Sequence, residues 1–394
     1  MVRLIEKCYW RGLIVIINEY GDGLALYVFA LILIPAVILG CIGKGIRFYG
    51  MVISVPVLYL LIGEHFQNFI VIVSGELLIL WIYYKLHNVY KKNWVYYATL
   101  ILLIFPIFEC KVAGIFAFPS LAFLGISYFG FRMWQLVIEI HDGHLDNLNW
   151  FNVIYFVLFF PSLSSGPIDR YRRFSDEITD KLSGRLYFYE YFLPGCKKIC
   201  IGVIYKFSLA EFINQFWLSK IPTVVTGISS IEYMYSYTLY LFFDFAGYSL
   251  MAIGTGYLLG VTLPENFNKP FLARNMKEFW DRWHISLSRW FGDYLFSRIV
   301  LNLLRGGAIK KQTTAVRFAY MVTMFTMGMW HGFTVYYLLY GLYQGVMLVL
   351  SDIYVKSKTY REHIKLPWYN TVSRIVCFHF IAFGMLIFSG YLFK

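Results

Sequence analysis

Phe318–Ser351, FAYMVTMFTMGMWHGFTVYYLLYGLYQGVMLVLS, runs for 34 residues without an Asp, Glu, Lys or Arg. As one straight helix it would measure about 50 Å at 1.5 Å per residue, against a hydrocarbon core of about 30 Å. Such a run must tilt steeply, break or fold back. The glycines at 328 and 332 mark the expected break, and between them Met329, Trp330 and His331 carry an imidazole to near mid-membrane. A polar group at that depth is costly unless it lines a cavity or finds a partner. His331 is therefore the first candidate functional residue. The alternative is an imidazole that bonds a carbonyl and only holds two helices together.

Working outward, the 394 residues are 59% hydrophobic, 21% aromatic and 15% charged, where soluble domains carry about 25% charge. This composition predicts an all-α polytopic membrane protein. No polar stretch exceeds about 40 residues, too short for a core of its own, so the expectation is a single integral-membrane domain over 1–394. The opening MVRLIEKCYWRG carries Arg3, Lys7 and Arg11 before any long apolar run and lacks a small-residue cleavage site. It reads as a retained amphipathic start and not as a cleaved signal. The net charge of +12 follows from positive-inside bias and attraction to anionic lipids, and no nucleic-acid recognition motif accompanies it. Cysteines at 8, 41, 110, 196, 200 and 377 are scattered without a CxxC pair, so neither a disulfide nor a metal is expected.

Apolar runs occur at 23–43, 48–63, 67–84, 94–108, 112–131, 150–165, 198–218, 232–260, 318–351 and 372–393. Some are too short and others too long for one span, and about ten to twelve helices that cross or nearly cross are expected. No repeat of about 20 to 50 residues is visible, which leaves a transporter built from two repeated halves without support. The basic loops 85–94 (Lys85, Lys91, Lys92) and 170–185 (Arg170, Arg172, Arg173, Lys181, Arg185) should share the cytoplasmic side, yet three apolar runs separate them. One run must not span. The choice is 150–163, WFNVIYFVLFFPSL, which reaches only about 21 Å and meets Pro161. A half-inserted helix of this kind predicts a cavity beside it.

The polar segments then fall in order. His141-Asp-Gly-His144 reads as a solvated turn and not as a metal site. Ser164–Phe174, with Gly166-Pro167 and three arginines, reads as an exit from the membrane whose guanidinium forks face phosphates. Lys197, Lys198 and Lys206 lie within a mostly apolar stretch and are expected to snorkel. Asp244 is a rare carboxylate in an apolar run and needs a partner, a basic side chain or a backbone donor. Leu263–Phe271 is an irregular elbow. Asn275 and Glu278 then form a capping-box variant that starts a helix at about 276, running on through Trp280, Trp283, His284 and Ser286 to Trp290. The three tryptophans are expected at a membrane interface, with His284 one turn beyond Trp280 on the same face and Arg282 and Arg289 toward headgroups. Phe291–Arg305 is amphipathic, with Phe296, Val300 and Leu304 on one stripe and Arg298, Leu301 and Arg305 on another. This is an interfacial helix on anionic lipid or a surface for an acidic protein. Lys269–Arg317 carries ten basic and three acidic residues, a strongly cationic face.

Read together, Ser165–Phe174 (SGPIDRYRRF), Phe243–Ser249 (FDFAGYS), Pro264–Phe271 (PENFNKPF), Glu278–Ser288 (EFWDRWHISLS) and Met329–Gly332 (MWHG) resemble the membrane-bound O-acyltransferase (MBOAT) family, in the family's order. Within it they are most similar to the branch that serves teichoic acid D-alanylation. The resemblance implies a ring of about ten to twelve transmembrane helices, with short re-entrant and interfacial helices, around a central funnel. It implies that His331 is catalytic with His284 as companion, supported along the tunnel by Trp330, Ser286, Asn266 and Asp244. Gln344 stands where relatives often have a His, and no role is assigned to it.

For that branch the resemblance further implies a D-alanyl thioester on the phosphopantetheine of a small cytoplasmic carrier protein as donor. No cofactor is then bound by the chain itself. The acceptor is a hydroxyl of teichoic acid or of an intermediate, other membrane proteins of the pathway are partners, and the location is the bacterial cytoplasmic membrane. Arg298, Val300, Leu301, Leu304 and Arg305 become the candidate docking surface for the carrier. Base catalysis by an imidazole suits this transfer, and no nucleotide-binding GxxxxGK[ST] motif is present. Two alternatives stay open: an exopolysaccharide O-acetyltransferase of the alginate type, and a transporter or flippase of an acylated intermediate.

Overall fold

The computed structural model describes residues 24–90, 92–116, 120–164, 166–178 and 182–394. The amphipathic start at 1–12 lies outside them. The described chain is helical, with a single β-bridge, Phe267 to Trp283. The first helices are α1 (Leu24–Cys41), α2 (Arg47–Ile62), α3 (Phe66–Tyr90), α4 (Asn93–Phe116), α5 (Ile126–His141), α6 (Trp150–Leu158) and α7 (Tyr171–Glu177). Then come α8 (Gly184–Lys220), widened by π turns at Phe188–Phe192 and Ile204–Ala210, and α9 (Gly227–Leu258). The rest are α10 (Met276–Trp280), α11 (Ile285–Phe291), α12 (Ser297–Arg305), α13 (Gln312–His331), α14 (Val335–Val355) and α15 (Tyr369–Phe388).

Five stretches among the described residues are long and apolar enough to cross a membrane: Arg47–His87, Asn93–Ala113, Gly184–Lys220, Val335–Val355 and Tyr369–Phe388. The protein is a multi-pass membrane protein. Its residues form two compact units, one running to Ile201 and including Ser249–Pro264, the other made of Gly202–Tyr248 and Glu265–Lys394.

In the first unit the apolar run 112–131 is not one helix. It is the end of α4 and the start of α5, parted at Gly125. Gly125 has φ of 91°, and a Cβ there would stand 2.5 Å from the Leu163 carbonyl oxygen, so both backbone and space demand glycine. The half-inserted segment is shorter than its sequence indicates. At nine residues α6 spans about 14 Å, too little to cross, and it ends at Leu158, ahead of Pro161.

No cavity is needed to stabilise this short helix. Arg132 of α5, 2% exposed, donates to the carbonyls of Phe156 (2.7 Å), Val157 (2.9 Å) and Phe159 (3.3 Å) and to Ser162 Oγ (2.8 Å). These oxygens include acceptors that the end of α6 leaves unpaired. The arginines after Gly166 also differ from the sequence reading. Arg173 turns inward to Asp169, Glu177 and Thr262, and Arg172 pairs with buried Glu139 at 3.4 Å. In the His141–His144 turn Asp142, Gly143 and His144 are exposed as expected, while His141 stacks on Tyr96 at 3.9 Å and meets the Tyr83 hydroxyl at 3.3 Å.

In the second unit the 34-residue run folds back where its glycines predict. α13 ends at His331 and α14 starts at Val335, and the two arms touch backbone to backbone. A Cβ on Gly328 would lie 2.5 Å from the Tyr337 carbonyl oxygen, and one on Gly341 would lie 2.6 Å from that of Met324. Small residues that admit such approach are the usual device for packing helices in lipid.

Replacing Arg132 by Met leaves several buried carbonyls without donors and is expected to cost roughly 3 kcal/mol or more. Lys277→Met, which removes an exposed pair with Asp281, should cost less than about 1 kcal/mol. Thermal denaturation in detergent, or the yield of folded protein, checks the contrast. Equal stability of the two variants would refute this account of α6.

Candidate active site

The site residues of the second unit are assembled by the elbow that precedes α10. As the sequence predicts, a helix begins at Met276, with Asn275 Oδ1 accepting from the Glu278 N–H at 2.9 Å. The Glu278 carboxylate reaches Arg274, taking both its backbone N–H (3.0 Å) and its guanidinium.

The helix then stops, contrary to the continuous helix read through Trp290. Residues 282–285 pair instead with the elbow: Asn268 N–H donates to the Arg282 carbonyl (2.9 Å), and Ile285 N–H donates to the Asn266 carbonyl (3.0 Å). Asn266, fully buried, accepts through Oδ1 from Ser286 Oγ (2.6 Å) and Ser286 N–H (3.4 Å). It thus caps the start of α11 from a distant part of the chain. Sequence spacing offered no signal for this, because the cap comes from 20 residues upstream.

His284 stands at the break. Its backbone is left-handed, φ 44° and ψ 52°, a costly conformation for a residue with a Cβ and one found where surrounding contacts impose it. The side chain is 5% exposed and meets Phe245 edge to face at 4.8 Å, and Nδ1 has no hydrogen-bond partner. The helical-face argument for His284 therefore does not apply; the elbow places it. The tryptophans are also not at a lipid interface. Trp280, Trp283 and Trp290 are all buried, with Trp283 packed on Phe267 at 5.1 Å and Phe279 at 5.6 Å.

Asp244, next to Phe245 on α9, has a partner, and of the two kinds expected it is a basic side chain. It is Lys206, which therefore does not snorkel. Gly247 permits this pairing, because a Cβ there would stand 2.7 Å from the Lys206 backbone nitrogen.

His331 is the last residue of α13 and is half-buried. Its ring lies among Trp330 (4.7 Å between centroids), Phe388 (4.9 Å), Tyr337 (5.8 Å) and Tyr340 (6.3 Å). A link to the elbow was not anticipated. The Trp280 indole N–H donates to Gln344 Oε1 of α14 at 3.3 Å, and Gln344 is fully buried. Gln344 thus ties the helix that precedes His284 to the hairpin that carries His331. In the sequence it stands out only as a polar residue in an apolar run, at a place where relatives often have a His.

Just ahead of α12, Phe296 stacks against Tyr320 of α13 at 5.0 Å. On α12 itself the side chains differ in exposure. Arg298, Val300 and Leu304 are half-buried, while Leu301 and Arg305 are exposed.

The turn bearing His284 lies outside the five spans, and burial pushes its imidazole down to about 3. Unfolding restores a value near ~6.5, so the unfolded chain binds an extra proton below that pH. The buried ring thus favours folding above pH ~6.5 and loses that contribution progressively as pH falls. In detergent, the drop in Tm between pH 7 and pH 5 is expected to be smaller for His284→Gln than for the unsubstituted protein. Equal drops would show that His284 is not held neutral.

With this geometry in view, comparison with known proteins gives a consistent result. The model of the MBOAT, membrane-bound O-acyltransferase, family matches residues 71–391. The teichoic acid D-alanyltransferase of Bacillus subtilis (strain 168) is 36% identical over 95% of this chain and 98% of its own length. The enzyme of the same name from Streptococcus thermophilus is 34% identical over 95% of this chain and 96% of its own. A probable alginate O-acetylase, AlgI, of Pseudomonas syringae pv. tomato is 31% identical over 68% of this chain and 49% of its own. The chain belongs to the membrane-bound O-acyltransferase family and is a membrane-bound acyltransferase.

Proposed function

We propose that this protein transfers D-alanyl groups, from the phosphopantetheine thioester of a small cytoplasmic carrier protein, to a hydroxyl acceptor for D-alanylation of teichoic acid at the bacterial cytoplasmic membrane. The observation that carries the reading is the reach of the similarity. Relatives named teichoic acid D-alanyltransferase match it almost end to end, whereas the alginate O-acetylase matches over about half its own length. The family match likewise favours group transfer over transport.

His331, at a helix end and reachable from one side, is the general base. It takes the proton of the acceptor hydroxyl as that oxygen bonds to the thioester carbonyl carbon. The carbon–sulfur bond then breaks, and the proton passes to the departing pantetheine thiolate. Such base assistance is typically worth about 10² to 10⁴ in rate. His284, buried and neutral, is suited to orienting by hydrogen bonding, with its free Nδ1 and the unpartnered Nδ2 of Asn266 as the available groups. Ser286 holds that amide in place. Trp330 walls the His331 side, and Asp244, paired with Lys206, supports the helix behind Phe245.

The cationic segment 269–317 attracts an acidic carrier. On α12, exposed Leu301 between Arg298 and Arg305 offers an apolar anchor with a basic rim, and Val300 and Leu304 set the helix against its neighbours.

Membranes containing the other pathway proteins, supplied with radiolabelled D-alanyl carrier protein or with acetyl-CoA, test the reaction. Label is expected to pass from the carrier to envelope polymer, and His331→Ala should lower that transfer by at least about 10²-fold. Transfer from acetyl-CoA alone, or full activity of His331→Ala, would refute the reading. Docking is tested separately: Leu301→Asp should raise KM for the carrier about tenfold or more, with kcat at saturating carrier little changed. An unaltered KM would remove α12 as the docking surface.

A further inference from the structure

Under the reading above, the donor differs from a simple acyl thioester by one primary ammonium, and the inference here rests on that reading. An acceptor oxygen hydrogen-bonded to the His331 imidazole lies about 2.8 Å from a ring nitrogen. The carbonyl carbon stands a further ~3 Å away in a near-attack arrangement. The ammonium nitrogen is about 2.5 Å from that carbon. It therefore falls roughly 3 to 8 Å from the imidazole, whichever way the donor lies.

That shell is occupied by aromatic rings. Phe388, Tyr337 and Tyr340 have centroids 4.9, 5.8 and 6.3 Å from the His331 ring. Phe388 touches both tyrosines, at 5.1 and 5.0 Å, so the three form one continuous wall contributed by α14 and α15. Tyr340 is its buried member, while Tyr337, Phe388 and His331 are only half-buried. Gly332 lets this wall close on the imidazole, since a Cβ there would stand 2.8 Å from the Tyr337 ring. The π face of an aromatic ring attracts an ammonium group within about 6 Å of its centroid, and more strongly where water is excluded. Asp244, the carboxylate of the FDFAGY motif, is already committed to Lys206.

We propose that the aromatic wall formed by Tyr337, Tyr340 and Phe388 beside His331 selects an aminoacyl donor over a simple acyl donor, by holding the donor's ammonium against its π faces. Phe388 is the central member and lies outside the five motif segments that carry the family resemblance.

The test compares two donors on one carrier protein, loaded with D-alanyl or with propionyl pantetheine; propionyl keeps the carbon skeleton and lacks the nitrogen. The full-length protein in lipid nanodiscs with its pathway partners should favour D-alanyl. In Phe388→Leu the D-alanyl to propionyl ratio of kcat/KM is expected to fall about tenfold, and in Phe388→Trp it should be kept or raised. The ratio is read within each variant, so a general loss of folded protein cancels, and the active Trp variant guards against a leucine variant that does not fold. A ratio unchanged in both Phe388→Leu and Tyr337→Leu overturns the wall. Wild-type protein inert toward D-alanyl carrier overturns the donor assignment instead.

Discussion

A helix that ends inside a membrane protein leaves N–H and C=O groups that water does not reach, and each must be paired from elsewhere in the chain. This constraint shapes both units. Arg132 supplies the donors for the end of α6, and Asn266 supplies the acceptors for the start of α11. Both side chains are almost fully buried. Each is placed by a helix or elbow remote in sequence, so the short helices depend on tertiary structure and not on local propensity.

The two candidate histidines stand where helices end. His331 closes α13 and His284 opens α11. In the middle of an apolar helix an imidazole is fixed by its neighbours at i±3 and i±4. At an end the backbone can turn, and the ring projects past the helix axis. The left-handed backbone of His284 is the cost of that placement, and the pairing of residues 266–268 with 282–285 offsets it. Gln344 then carries the constraint between the two helix ends, because its bond to Trp280 joins α10 to α14. Displacing either would shift an imidazole, and a positioned reaction responds to misplacement of about 1 Å.

What the sequence made legible was what lipid imposes locally. The glycine-flanked break at 328–332, the short span at 150–163 and the need of Asp244 for a partner all follow from the cost of unpaired polar groups and from helix length. The partners themselves were not legible. Lys206 reads as a snorkelling lysine until Gly247 brings its helix close to α9. Arg173 reads as a headgroup ligand until Thr262, 89 residues on, is seen beside it. The tryptophans at 280, 283 and 290 match an interfacial belt by composition, yet an elbow of Phe267 and Phe271 covers Trp283 inside the protein. Composition reports that an aromatic ring tolerates both surroundings; only the packing tells which one it has.

The two imidazoles are unequal, and the inequality follows from burial. His284 is closed off, with a ring edge against Phe245 and a nitrogen without a partner, so gaining a proton there would place an unpaired charge in an apolar setting. A ring in that state can donate or accept a single hydrogen bond but is a poor place to hold a proton during turnover. His331 is half-exposed and faces aromatic rings whose π faces favour a positive charge. Under the proposed transfer, an imidazolium formed there meets rings that favour its charge. In that transfer the inequality gives His331 the part of carrying the proton and His284 that of staying neutral and holding a substrate atom in line.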